Sequence, residues 1–508
     1  MQRRTLLKLL AMTAASASAP IALAQADTAQ PRRGGTLRLA LLGLDTADPH
    51  RHAGSIAVQQ VYAETLTSIG DDGSVAPFLA ERFTTSPDGL TYTFHLRPQV
   101  RFHNGRELTA SDVQANFERV RSQVKGGWLS GAMQLVERVE TPDAATVQVV
   151  LSEPYAPLLN LLSELWILAP ESPGWADTIT QPIGTGPFVF GTWRPDVSFE
   201  APAFGEYWQP GLPYLDALHF DLRGERDNSL ALRSGDLHVG YVANDQIPAL
   251  RSGGLDVQFL KDTAWYFLSF NNRKPSPLMQ DRRVREAIAL AVDKRAYMNF
   301  IVPDALVSNQ PVRPETYYWD AALEAADTFA KPDLARAKAL LAEAGVNPAA
   351  HTLKVVSWQN DYAQVAVQMV RQLGFGIDHQ ALDDIGAQRL LAQYDWDLAP
   401  FNSGPRADIY LRYARLLSDG PSPMLWGGIQ DPELDALIKA AVSSPSPERA
   451  RAGYLRAWER VQSQLYTVGV GHAADAIGIG AKVHGYRTGY TWSQHRADGG
   501  VARTWLQA

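Results

Sequence analysis

The 508-residue sequence predicts a mixed α/β protein built from more than one structural unit, and three observations carry that prediction. Between Leu90 and Leu96, apolar Tyr92, Phe94 and Leu96 alternate with Thr91, Thr93 and His95, the period-2 pattern of a half-buried strand. From residue 353 the pattern turns β-α-β, with strand at Leu353–Ser357, helix at Asp361–Leu373 and strand at Phe375–Leu382. Length is the third observation: at roughly 150 residues per domain, this chain makes two or three units.

The elements follow in order. Residues 36 to 42 and 183 to 192 read as strands. Asp88-Gly89 gives a tight turn before the alternating strand, and Ser111 or Asp112 caps a helix through Val113, Phe117 and Val120. Residues Thr93 to Gly174 mix strand and helix, as an inserted subdomain would. Pro332 and Asp333 open a later helix with Leu334, Ala337, Leu341 and Ala344 inward, and Gly345 ends it. In the 361–373 helix the inward positions are Val365, Met369 and Leu373. Alternating strands and helices imply a mainly parallel sheet with right-handed crossovers. The chain carries no internal repeat, and its short Ser443–Pro447 run reads as a loop.

The N-terminus reads as a signal peptide. Arg3, Arg4 and Lys8 precede a run of apolar and small residues from Leu9 to Ala19, and Ala22-Leu23-Ala24 offers an A-x-A cleavage site. Arg3-Arg4-Thr5-Leu6-Leu7-Lys8 also resembles a twin-arginine export signal, and a general secretory signal is the alternative. No later stretch is apolar for the roughly 18 residues that a spanning helix needs. With no cysteine, the chain has neither disulfides nor thiolate metal ligands, and no attachment point for a lipid on an N-terminal cysteine. An exported, soluble, periplasmic protein is expected. Removing Arg3, Arg4 and Lys8 with the signal takes the formal charge from −7 to −10. That sign argues against nucleic acid, whose binding depends on Lys and Arg at phosphates.

Several blocks share a common wording. Ala76-Pro77-Phe78-Leu79-Ala80-Glu81-Arg82-Phe83 and Pro87-Asp88-Gly89 come before the alternating strand, and Phe102-His103-Asn104-Gly105 and Leu108 to Val113 come after it. Further on stand Gly184-Thr185-Gly186-Pro187-Phe188, Leu232 to Leu237, Phe270 to Pro275 and Val284 to Lys294. In this order the blocks resemble the peptide-binding, or family 5, class of extracellular solute-binding proteins, the soluble receptors of ATP-driven importers. The resemblance implies a two-lobed periplasmic binding protein fold (class II, cluster C type) with an extra subdomain in lobe I at about 45–175. Lobe I is then expected at 27–264 with a return segment 477–508, and lobe II at 265–476. Such proteins do no chemistry, need no cofactor, act as monomers and pass a peptide or peptide-like solute to permease subunits in the inner membrane.

Candidate ligand contacts lie on loops after strands, where open α/β sheets place their crevices. One loop is Trp358-Gln359-Asn360-Asp361-Tyr362 and another is Asn402-Ser403-Gly404-Pro405-Arg406-Ala407-Asp408. By the resemblance, Asp408 matches an aspartate that accepts a peptide's α-ammonium. It also suits the cap of a helix over 409–417, and the two roles are compatible. Where many relatives carry Asp-Pro-Asp, this chain has Arg406-Ala407-Asp408, so the cleft is open to something other than a plain peptide N-terminus. Arg406 suits either a carboxylate ligand or solvent, and no arginine in the Trp358 loop offers a carboxylate anchor. Trp265, Tyr266 and Trp426 serve either cleft or core, while Phe267 reads as core. Asp48-Pro49-His50-Arg51-His52 matches a loop facing the cleft.

Two other functions fit the sequence less well. A nickel-type chelate receptor would use His50, His52 and His472, although the spacing makes structural roles the commoner outcome. An exported hydrolase of cell-wall peptides lacks a G-x-S-x-G elbow, an H-E-x-x-H or a phosphate loop. Gly469-Val470-Gly471-His472-Ala473-Ala474 fits G-x-G-x-x-A only superficially, because strand-like sequence follows it.

Overall fold

The computed structural model describes residues 30–507 apart from 42, 52–55, 71–72, 125–128, 130–132, 226, 261–263, 304, 359–360, 405–407, 422 and 490–497. The expected signal segment lies outside these residues, as do His52, Asn360 and Arg406.

Two large sheets organise the described residues, one of seven strands and one of six. The seven-stranded sheet runs Trp193–Arg194, Ser198–Pro202, Ala217–Asp221, Thr36–Ala40, Val239–Tyr241, Ala476–Ile479, Asp256–Phe259. In the six-stranded sheet the order is Leu306–Val307, Thr467–Ala473, Ala264–Phe270, Leu398–Ser403, Thr352–Trp358, Gly376–Leu382. Each sheet has its own apolar core, and these two bodies are lobe I and lobe II. The chain passes from one to the other between Phe259 and Ala264, and returns between Ala473 and Ala476.

The sheets are mixed rather than mainly parallel, which corrects the expectation from the alternating pattern. Thr36–Ala40 pairs parallel with both neighbours, and Thr352–Trp358 pairs parallel with Gly376–Leu382 and Leu398–Ser403. Strands next to the two crossings are antiparallel: Ala264–Phe270 against Thr467–Ala473, and Asp256–Phe259 against Ala476–Ile479. The outgoing and the returning chain lie side by side there, so they run in opposite directions.

The alternating strand is found at Thr91–Leu96, with Tyr92, Phe94 and Leu96 buried. It is central in a four-stranded antiparallel sheet with Ala80–Thr85, Thr146–Leu151 and Val136–Asp143, against which the helix Ala110–Gln123 packs Val113, Phe117 and Val120. This is the inserted subdomain. Its helix starts one residue earlier than the two residues proposed as caps: Thr109 is the N-cap, and its amide donates to Asp112 Oδ2 at 2.9 Å.

Two element readings need correction. Residues 183 to 192 form no strand beyond an isolated bridge from Phe188 to Ala203. A β-carbon at Gly184 would lie 1.9 Å from the Tyr62 carbonyl oxygen, and one at Gly186 would lie 2.5 Å from that of Val61. The glycines serve close backbone packing, which a regular ladder does not need. In the helix Asp361–Arg371 the buried face is Ala363, Ala366, Val367 and Val370; of the expected inward positions Leu373, just past the helix, is buried, while Val365 and Met369 are only half-buried.

Candidate functional site

A cavity of about 760 Å³ opens between the inserted subdomain and lobe II. Tyr92, Ala156, Leu159 and Asn160 line it from lobe I. From lobe II come Val312, Arg313 and Glu315 to Tyr318, then Asp408, Ile409 and Arg412, and finally Ser444, Pro445 and Pro447. Its size falls in the range of small-molecule sites, about 300–1,000 Å³.

Asp408 is the chemical centre. It follows the strand Leu398–Ser403 and precedes a short helix, Tyr410–Tyr413, that continues as the 3-10 turn Ala414–Leu416. The expected helix over 409–417 is therefore shorter and partly 3-10. The N-cap is Ile409 rather than Asp408, which stands one residue earlier, although the Tyr410 amide does donate to Asp408 Oδ1 at 2.7 Å. Among the described residues that amide is the carboxylate's one hydrogen-bond donor, and no cation pairs with it. Burial pushes its pKa up to about 6, and the Tyr410 amide only partly opposes this. The residue is 6% exposed and lies on the cavity wall. Burying a carboxylate is costly unless something charged and hydrogen-bonding meets it, and the cavity is where that partner would enter.

Tyrosines surround the carboxylate. Tyr155, Tyr318 and Tyr454 are each buried enough to raise their own pKa, and each feels the Asp408 charge as well. Tyr318 stands edge-on to Tyr317 at 5.4 Å and to Tyr454 at 5.6 Å, both within the range of favourable ring pairs. Tyr92 donates to the Tyr155 carbonyl at 3.1 Å.

The wall from Val312 to Tyr318 is held as a strap. Gln310 exchanges two hydrogen bonds with the Asp320 backbone, at 2.8 and 3.1 Å. Arg451 Nε donates to the Tyr317 carbonyl at 2.7 Å, and Nη2 to that of Trp319 at 2.8 Å. Arg412 joins strap and Asp408 loop, with Nη1 donating to the Pro311 carbonyl and Nη2 to that of Gly404 at 3.2 Å. The sequence pointed to none of the strap residues, nor to Arg412 or Arg451, as ligand contacts. The strap has no hydrophobic period to reveal it, and its one legible sign is the run Tyr317-Tyr318-Trp319 outside any strand.

The other expected ligand contacts scatter. Trp265 and Trp426 are core residues, 0% and 1% exposed, stacked on each other at 5.2 Å. Phe267 completes that stack at 4.7 Å from Trp265. Tyr266, on the opposite face of the strand, bonds Asn402 and lines a smaller cavity of about 380 Å³ beside the crossings. Trp358 packs on Phe401 at 4.7 Å. Ser403 is buried behind the Asp408 loop. Among the expected contacts that lie on described residues, only Asp408 lines the large cavity, with Gly404 tied to it through Arg412.

His50 is corrected from cleft to core. Its Nδ1 accepts from Arg119 Nη1 at 2.7 Å and its Nε2 meets the Trp166 carbonyl at 2.7 Å, so both ring nitrogens are committed. His472 is buried on the Gln310 carbonyl at 2.9 Å, and burial pushes its pKa down to about 3. Among the described residues no group of three or more metal-ligating side chains of His, Asp or Glu occurs. Ser357 Oγ lies 2.9 Å from His379 Nε2, but Ser357 is 0% exposed and donates to the Trp358 carbonyl, which is no arrangement for a nucleophile.

Comparison with known proteins gives these features a setting. Residues 74–414 match the model for the middle part of bacterial extracellular solute-binding proteins, family 5. Glutathione-binding proteins named GsiB are similar in sequence: that of Salmonella typhi is 26% identical over 350 residues and that of Escherichia coli K12 is 25% identical over 349. These matches span 64% of this chain and 64% of the relatives' own length. In three dimensions the chain is similar to the ABC transporter substrate-binding protein CtaP of Listeria monocytogenes, with a TM-score of 0.82 at 19% identity, covering 94% of this chain and 100% of that one. NikA of Brucella suis, solved with Fe(III)-EDTA, gives 0.81 at 20% identity, covering 93% and 100%. AppA of Bacillus subtilis, an oligopeptide-binding protein solved with a nonapeptide, gives 0.75 at 20% identity, covering 94% and 100%. No helix among the described residues is long and apolar enough to cross a membrane.

Proposed function

Because this chain belongs to the family 5 bacterial extracellular solute-binding proteins, matched over residues 74–414, we propose that it captures a peptide or peptide-like solute in the periplasm and hands it to the permease of an ATP-driven importer. The observation that carries the solute class is Asp408: a buried carboxylate, its pKa raised to about 6, with one amide donor and an open cavity in front of it. An ammonium group supplies both the charge and the donors that this carboxylate lacks. Hydrogen bonds to charged groups contribute about 1.5–3 kcal/mol each, enough to favour a free amino terminus over a blocked one by tenfold or more.

The mechanism needs only differential affinity. A solute bound to Asp408 on lobe II also meets Tyr92, Leu159 and Asn160 on lobe I, so it stabilises the closed state by the contacts that closure adds. No bond in the solute has to break. The relatives named glutathione-binding make a short peptide with a free ammonium the first candidate. A metal chelate is less favoured, since His50 and His472 are held by backbone carbonyls and other side chains.

Native mass spectrometry of the purified protein, followed by calorimetry with glutathione and with trialanine, tests the proposal. A retained or titrating short peptide supports it. A retained metal complex, or a solute without an amine, overturns the assignment of solute class.

A further inference from the structure

The lobes are clamped together by contacts that do not involve Asp408. The loop Ser443–Pro447 links the helices Pro432–Val442 and Pro447–Gln464 of lobe II and leans on the inserted subdomain. The amide of Ala156 in lobe I donates to the carbonyl of Val442 in lobe II at 2.9 Å. The Val442 side chain is packed into the apolar cluster of the inserted subdomain. Tyr155 meets Tyr410 edge-on at 5.7 Å and 86°. Pro445 lies over the Asp88-Gly89 turn, where a β-carbon on Gly89 would be 3.2 Å from Pro445 Cβ and 3.4 Å from Pro154 Cβ. All of these contacts are apolar or backbone, so none depends on the chemistry of the solute.

The clamp is also a wall. Ser444, Pro445 and Pro447 line the same cavity as Asp408, and Ala156 lines it from the other lobe. A solute held at Asp408 and contained in the cavity leaves Val442 and Pro445 seated on lobe I. One that projects past the wall has to lift them off.

We propose that the Ser443–Pro447 loop is a length gate, with Val442 and Pro445 as the residues that set the longest solute the cleft can close on. The inference rests on the peptide reading of the Asp408 cavity and adds what limits the solute at the Pro445 end. Latch contacts contribute to the affinity of every solute short enough to permit closure, and longer ones forfeit that contribution.

The test uses the mature protein and alanine peptides from dipeptide to hexapeptide. Calorimetry gives affinity, and amide hydrogen exchange at Ala156 reports whether the bond to Val442 forms. Affinity is expected to drop by roughly tenfold or more at the length where Ala156 loses its protection. In Pro445→Gly, an exposed position whose change spares both helices, the length profile should flatten as the short peptides weaken. Equal Ala156 protection at all lengths, or an unaltered profile in Pro445→Gly, overturns the gate while leaving the peptide reading in place. If no peptide binds, that reading falls, and Ala156 exchange in the free protein judges the latch alone: faster exchange in Pro445→Gly supports it and no change overturns it.

Discussion

Asp48 in lobe I and Asp408 in lobe II are both buried aspartates, 0% and 6% exposed, and their surroundings could hardly differ more. Asp48 takes a two-pronged contact from the equally buried Arg119, with Nη2 at 2.6 Å and Nη1 at 3.1 Å, and accepts from the amides of Ile179 and His50, both at 3.1 Å. Burial pushes its pKa up, but the Arg119 hydrogen bonds and charge and the Ile179 amide outweigh that and hold it below the usual carboxylate range. Asp408 has the burial and one amide, without a cation among the described residues, and its pKa rises to about 6. A satisfied buried charge belongs to the structure, whereas an unsatisfied one on a cavity wall marks a place for a missing partner. Burial by itself is not the distinction. The Glu64 carboxyl also rises, to about 7, by burial, yet Thr185, Tyr207 and Trp208 occupy its two oxygens and it lines no described cavity.

The contrast breaks first at Asp48. Asp48→Ala leaves the Arg119 guanidinium buried and uncompensated, and should cost about 3–5 kcal/mol of unfolding free energy in a urea titration. The opposite sign is expected at the other site. Asp408→Asn removes a charge that the empty protein holds at a cost, so at pH 7 it should stabilise that protein by on the order of 2–3 kcal/mol. The same variant should weaken amine-bearing solutes by more than tenfold. A loss of stability in Asp408→Asn would show that the carboxylate is already satisfied.

pH separates the two aspartates further. For Asp408 the folded value lies above the unfolded one, so between about pH 4 and 6 the native state binds the extra proton, and this group's contribution makes the empty protein less stable as pH rises. Solute affinity should move the other way, falling as pH drops below about 6 and the carboxylate protonates. Asp48 is lowered, so its stabilising contribution is present above the ordinary aspartate range and is lost only as the pH falls through its depressed value. Melting curves of wild type, Asp48→Asn and Asp408→Asn from pH 2 to 8 distinguish these slopes. The smallest effect is expected for Arg412→Lys, which keeps a charge but loses the fork that reaches the Pro311 and Gly404 carbonyls at once. A few-fold weaker affinity, at about 1 kcal/mol of stability, should follow.

Much of the fold was legible because its signals are local. The strand Thr91–Leu96 shows its buried face every second residue, and the helix Leu334–Glu343 is announced by Asp333 and ended by Gly345 in the left-handed region at φ +71°. Asp408 was legible as a loop acid after a strand. The misreadings are long-range by nature. Trp265 and Trp426 look the same in sequence whether they face a cleft or a core, and their stacking joins residues far apart in the chain. His50 looked available until Arg119 and the Trp166 carbonyl, both from the inserted subdomain, closed on it. The Gly184 and Gly186 segment read as a strand, because the close approach to residues 61–62 leaves no periodic trace.

The most direct measurement of the central claim is a pair of affinities, for trialanine and N-acetyl-trialanine, on wild type and on Asp408→Asn. The account predicts that wild type prefers the free amine by tenfold or more, and that the preference disappears in Asp408→Asn. An equal preference in both proteins would contradict it, and would place the ammonium, if the solute has one, away from Asp408.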